Sequence, residues 1–104
     1  MKAVYPVILT QADGDYLVEV PDLDILTEGH DLYDAIYMAR DAIGLHGITL
    51  QDMGREISPA SDLSEIDVGE GTFAKDGPGL VTLVDIDFDA YRRSLDEMES
   101  VKES

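Results

Sequence analysis

Two apolar runs, residues 4–10 and 16–20, flank the turn cluster Ala12-Asp13-Gly14-Asp15, a pattern that predicts a β-hairpin. Both runs are rich in β-branched and aromatic residues that suit a pleated surface, and Asp13-Gly14 supplies the positive backbone dihedrals of a tight hairpin turn. In the first run Tyr5, Val7 and Leu9 alternate with the equally apolar Val4 and Ile8. Neither face suits open water, so this strand is expected to be central or to meet a partner. The second run places Tyr16, Val18 and Val20 on one side and Leu17 and Glu19 on the other, which suits a more peripheral strand. Pro21 ends it for want of an N–H, and residues 25–28 read as a short third strand.

Asp31 is a suitable N-cap for a helix, with Asp34 three residues on in the place of a capping-box acid. Leu32, Ile36, Ala39 and Ile43 step by four, three and four, and the stripe continues through Gly47, Leu50 and Met53. Gly44 and Gly47 each cost about 1 kcal/mol against alanine in a helix interior. The long helix is nevertheless preferred, because Gly47 falls on the buried stripe, where it permits close approach to the sheet, and Gly54 is the better stop.

Ser58-Pro59-Ala60-Ser61 breaks the chain, and residues 69–79, with four glycines and Pro78, read as a flexible loop. A returning strand over residues 81–88 sets Thr82, Val84, Ile86 and Phe88 toward the core and Val81, Leu83, Asp85 and Asp87 away from it. A short helix over about 89–98 presents Tyr91 and Leu95 at helical spacing, and residues 99–104 are expected to fray. The order of elements predicts a single α+β domain over residues 1–98: a meander of two or three antiparallel strands, a long helix, a returning strand and a short terminal helix.

Charge narrows the range of partners. The 104 residues hold 7 Lys and Arg against 23 Asp and Glu, a formal charge of −16. Such a surface repels phosphate, so direct nucleic-acid binding is not expected. A basic protein is the natural complement, since opposite charge speeds encounter and sets specificity. The chain has no cysteine, which excludes disulfides, thiolate metal sites and a cysteine nucleophile and fits a reducing cytoplasm. No apolar run approaches the roughly 20 residues of a membrane span, and no targeting signal is visible.

Three pieces of the sequence resemble the HicB-like antitoxin family, which has a partial, degenerate ribonuclease-H-like fold. The first is Tyr5-Pro6-Val7-Ile8 with Gly14-Asp15-Tyr16 and the strand exit Val20-Pro21-Asp22-Leu23. The second is Thr27-Glu28-Gly29-His30 followed by Leu32, Asp34, Ala35 and Ala39-Arg40-Asp41-Ala42. The third is Gly54-Arg55-Glu56-Ile57-Ser58-Pro59-Ala60-Ser61, with Val84-Asp85-Ile86-Asp87 after it. The resemblance implies a protein that neutralises a small basic HicA-like ribonuclease toxin acting on messenger RNA, by covering its active surface. Where the family often has Pro-Gly after the Pro-Asp-Leu elbow, this chain has Asp24-Ile25. Many members append an operator-binding domain, and nothing after Tyr91 has the length or basic charge for one, so no separate DNA-binding domain is expected.

The acids around the hairpin and its exit, Asp13, Asp15, Glu19, Asp22, Asp24 and Glu28, are therefore the expected partner-binding residues. The doubly apolar first strand further suggests a homodimer. A ribonuclease-H-like order also raises a two-metal nuclease, for which Asp22, Asp24, Asp85 and Asp87 are the candidates, but the basic residues that would hold its substrate are missing. A stand-alone acidic module that binds some other protein is the remaining alternative. Asp85, Asp87, Asp89 and Asp96 match calcium-loop spacing, yet Ala90 stands where the loop needs glycine, and a strand running into an acid-capped helix explains them better. His30 and His46 lack companions at metal-ligand spacing, and Ser58, Ser61 and Ser64 lack a base, so neither a cofactor nor catalysis is expected. Tyr33 and Tyr37 are read as broadening the core face of the helix.

Overall fold

A computed structural model describes the backbone of residues 1–103 and the side chains of residues 1–98; the tail expected to fray, residues 99–104, lies outside the described side chains. Strand β1 (Lys2–Ala12) and β2 (Asp15–Val20) form the hairpin, followed by β3 (Ile25–Gly29), helix α1 (Leu32–Asp52), β4 (Gly79–Asp87) and helix α2 (Phe88–Glu103). The four strands make one antiparallel sheet in the order β3-β2-β1-β4. Asp13 and Gly14 both take positive φ, 53° and 85°, between the paired Ala12 and Asp15. That is the two-residue turn whose twist matches the strands it joins.

β1 is central, as both its apolar faces imply. β2 is interior as well, paired on both sides rather than peripheral, because the third strand covers its outer edge. Tyr5, Val7 and Leu9 of β1, Val18 and Val20 of β2, and Val84 and Ile86 of β4 are buried on the inner face against α1. Full burial of a side chain of this size contributes about 1.5–3 kcal/mol.

Asp31 caps α1 by accepting the Asp34 N–H at 2.8 Å, while the Asp34 carboxylate accepts the N–H of His30, one residue before the cap. The far end closes with Gly54 at φ 71°, its N–H bonded to Gln51 O and that of Arg55 to Leu50 O. This doubly bonded left-handed stop satisfies two otherwise orphaned carbonyls.

The buried line of α1 is Ala35, Ala39, Ile43, Gly44, Gly47 and Ile48. It agrees with the expected stripe in the middle and departs at both ends, where Leu32 and Met53 are exposed. At the far end the cause is the start of α2, which crosses α1 at Gly44 and Gly47 rather than leaving its last turns on the sheet. A Cβ on Gly44 would lie 2.7 Å from the Tyr91 ring, and one on Gly47 would run into Phe88. Gly47 thus admits an aromatic ring from the strand-to-helix junction rather than the sheet itself. Tyr33 and Tyr37 do not widen the core: they are 82% and 54% exposed.

Candidate partner-binding surface

Residues 55–78 do not form a free loop. After Ile57, which packs against the inner core, and Ser58, whose carbonyl accepts the Tyr5 hydroxyl, they fold back over the outer face of the sheet as a strap containing two short 3-10 turns, Leu63–Glu65 and Val68–Glu70. Two carboxylates from the hairpin side hold it. Asp22 accepts the Ser61 N–H at 2.8 Å and the Ser61 hydroxyl at 2.6 Å; Glu19 accepts the Thr72 N–H at 2.8 Å and the Thr72 hydroxyl at 2.7 Å. Farther along, the Gln11 N–H donates to Pro78 O at 3.0 Å. The strap buries Pro6, Ile8 and Thr10 on the outer side of β1. The second apolar face of that strand is therefore covered by its own chain, not by a partner.

The six expected partner-binding acids divide into two groups. Glu19 and Asp22 have both oxygens engaged by the strap. Asp13 sits at the hairpin tip, Asp15 lies 3.8 Å from His30 Nδ1, and Glu28 projects from β3. Asp24 ends the 3-10 turn Pro21–Leu23 with φ 56°, its N–H bonded to Pro21 O. Here an aspartate takes the left-handed position for which glycine is the usual residue, which short polar side chains tolerate.

Where the strap crosses β2 it leaves a cleft of about 200 Å³ lined by Glu19, Glu65, Asp67 and Glu70 around Ile8, Pro21 and Ile66. Four carboxylates ring an apolar floor, a setting for a lysine or arginine whose stem lies on the floor while its head meets the rim. Glu65, Asp67 and Glu70 were not among the expected residues. They reach the hairpin only because the strap turns back onto the sheet, and no local pattern announces that. One sequence signal does exist: neither residues 3–39 nor residues 56–74 contain a lysine or arginine.

Two of the arginines are paired away from this cleft. Arg40 on α1 donates to the Asp85 carboxylate at 2.9 Å and to its carbonyl at 3.0 Å, and Arg92 on α2 meets Asp52 at 2.9 Å. The Arg40 hydrogen bond, backed by its charge, holds the Asp85 carboxyl below the ordinary carboxylate range. Tyr5 donates its hydroxyl to Ser58 O at 2.6 Å; burial, and then the nearby Asp22 charge, push its phenol up.

The nuclease candidates do not converge. Asp22 is committed to Ser61 and Asp85 to Arg40, and no group of three or more His, Asp or Glu side chains among the described residues is placed to hold a metal ion. The calcium-loop spacing dissolves in the same way. Asp85 and Asp87 lie in β4, and Asp87 caps α2 by accepting the N–H groups of Asp89 and Ala90, both at 3.1 Å. Ser61 is a donor to the strap clasp, His30 is exposed, and His46 is half-buried on α1. No described helix is long and apolar enough to cross a membrane.

No family sequence model and no curated protein matches the chain. Solved structures do. The N-terminal domain of the Burkholderia pseudomallei antitoxin HicB is 30% identical, with a TM-score of 0.66, over 81% of this chain and 98% of that one. A toxin-antitoxin complex from Streptococcus pneumoniae is similar at TM-score 0.76 and 20% identity, over 88% of this chain and 73% of that one. The longer Burkholderia pseudomallei HicB structure matches at TM-score 0.68 and 24% identity, over 95% and 82%. The meander, the long capped helix and the returning β4, together with that 30% identity across nearly the whole of a HicB domain, place this chain in the HicB-like antitoxin family.

Proposed function

We propose that this protein is a non-catalytic cytoplasmic antitoxin that binds and neutralises a small basic HicA-like mRNA-cleaving toxin by covering its RNA-binding surface. The observation that carries this reading is the meeting of two cation-free stretches, residues 3–39 and 56–74, on the outer side of one sheet. Asp13, Asp15, Asp24 and Glu28 supply the outward carboxylates. Glu19 and Asp22 contribute by holding the strap that brings Glu65, Asp67 and Glu70 beside them. Cations that a toxin offers to RNA phosphates would pair with these carboxylates instead, so inhibition is occlusion and needs no chemistry from the antitoxin. The chain itself does not engage nucleic acid in this reading, and it acts as a homodimer.

The test is titration of the chain into a purified HicA-type toxin with an RNA-cleavage readout, repeated as salt rises. Stoichiometric inhibition, weakened by salt and by the paired reversal Asp24→Lys and Glu28→Lys, is the expected result. Inhibition indifferent to both would move the interface off this surface, and no inhibition would remove the antitoxin reading for that toxin class.

A further inference from the structure

We infer that the free edge of β3 is where the basic partner docks, by adding an extended segment as a fifth strand of the sheet. The inference rests on the antitoxin reading proposed above and gives its acidic surface a backbone contact.

The register shows which groups of β3 are free. A two-residue hairpin turn is closed by a hydrogen-bonded pair, here Ala12 and Asp15. Bonded pairs then alternate along the ladder, so Asp15, Leu17 and Glu19 bond to β1, while Tyr16, Val18 and Val20 bond to Gly29, Thr27 and Ile25 of β3. The Gln11 N–H, bonded to Pro78 O, agrees: it turns the odd-numbered residues of β1 toward β4 and the even-numbered ones toward β2. The N–H and C=O groups of Leu26 and Glu28 consequently point away from the sheet. The chain itself closes each end of this edge, since the Asp24 N–H bonds to Pro21 O and the His30 N–H to the Asp34 carboxylate. In between, nothing among the described residues bonds to the Leu26 and Glu28 backbone.

The side chains along the edge select what it takes. Leu26 and Glu28 lie opposite Glu19 and Leu17 and share their outer face, where Leu26 is 53% exposed. Two alternate residues of an added strand would stand beside them, an apolar one against Leu26 and a lysine or arginine against Glu28. Past Glu28 the edge opens on a cleft of about 340 Å³, lined by Asp15, Glu28, Gly29, His30 and Asp34 around Met38. A second basic side chain fits there, its stem over Met38 and its head among the carboxylates.

Brevity and charge are the ordinary guards of an open strand edge, and β3 has both, with five residues and Glu28. They exclude an acidic strand: a second copy of this chain, at a formal charge of −16, would bring acid against acid. They do not exclude a basic one, and residues 3–39 hold no lysine or arginine to compete for these acids.

Hydrogen exchange of the full chain, alone and with a purified HicA-type toxin, tests this. The expected result is that the Leu26 and Glu28 amides exchange freely in the free chain and are protected in the complex. Leu26→Pro removes one outward N–H and no charge, at a position where an edge strand tolerates proline. It should leave the unfolding midpoint in place and weaken toxin binding at least about tenfold at every salt concentration, whereas Glu28→Lys acts mainly at low salt. The exchange experiment uses the unaltered chain, so it decides even if the proline variant fails to fold. A toxin that is inhibited while both amides still exchange freely, or that binds the folded proline variant as tightly, overturns the inference and leaves the antitoxin reading standing. Protection that rises with the concentration of the free chain alone hands the edge to a second copy and also overturns it. A toxin that is not bound at all removes the antitoxin reading for that toxin class, and this inference with it.

Discussion

The two faces of the sheet are covered by different physics. On the inner face α1 and the start of α2 close over apolar side chains, and fit is set by shape: Phe88 and Tyr91 occupy the space left by Gly47 and Gly44. On the outer face the cover is a strap with no helix longer than a 3-10 turn, held by two carboxylates that each grip a backbone N–H and a hydroxyl. The inner face resists any change of volume. The outer face depends on a few directional bonds near solvent, so it belongs to the part of the molecule that opens locally before the whole unfolds.

Substitutions can break this contrast at either face. Gly47→Val should have the largest effect, because the new side chain runs into the buried Phe88 ring; a loss of about 3 kcal/mol is expected as a drop in the urea midpoint. Asp22→Ala removes both bonds to Ser61 and should cost about 1–2 kcal/mol, with faster exchange of the Ser61 amide. An unchanged Ser61 amide would mean that the clasp does not hold the strap.

Alkaline pH probes the contact between α1 and α2. Tyr91 donates its hydroxyl to Asp41 at 2.9 Å, and burial, that bond and the Asp41 charge push its phenol up to about 12 from 10.0. The folded state therefore keeps a proton that the unfolded chain releases. This contribution is complete below pH 10.0 and is lost as pH rises through about 12. Tyr91→Phe should flatten the profile in that window, leaving the component from Tyr5, whose phenol is also raised. An identical alkaline profile in the variant would dismiss the Tyr91–Asp41 bond as a contributor.

The smallest effect is expected from Glu19→Gln, which keeps one acceptor for Thr72 and should shift global stability by less than about 0.5 kcal/mol. Its mark would be local, a faster-exchanging Thr72 amide at an unchanged midpoint.

The inner face was largely legible in the sequence, because period-two and helical spacing are local signals and Asp13-Gly14, Asp31 and Gly54 punctuate them. What escaped was nonlocal. The buried line of α1 was misplaced at its far end because the position of α2, not the periodicity of α1, decides which of the last turns are covered. Gly44 looked like a cost within α1, and its use against Tyr91 appears only when α2 arrives. The outer face was scarcely legible. A glycine-rich run reads as a loop, and nothing local says that Thr72 will find Glu19 or that Ser61 will find Asp22. The acids named in advance were therefore a mixed set, some facing outward and two occupied by the strap.

The strand order carries a consequence for synthesis. β1 is the second element in from one edge, yet its neighbour on that side is the last strand of the chain, with Lys2 opposite Asp87. On a ribosome the hairpin, β3 and α1 emerge first, while one long side of an 11-residue apolar strand waits for a partner still to be translated. Until Asp87 is out, the nascent chain offers the kind of unpaired template that other strands join. A chain cut short before β4 would leave that side of β1 bare, an open edge of the kind that invites aggregation.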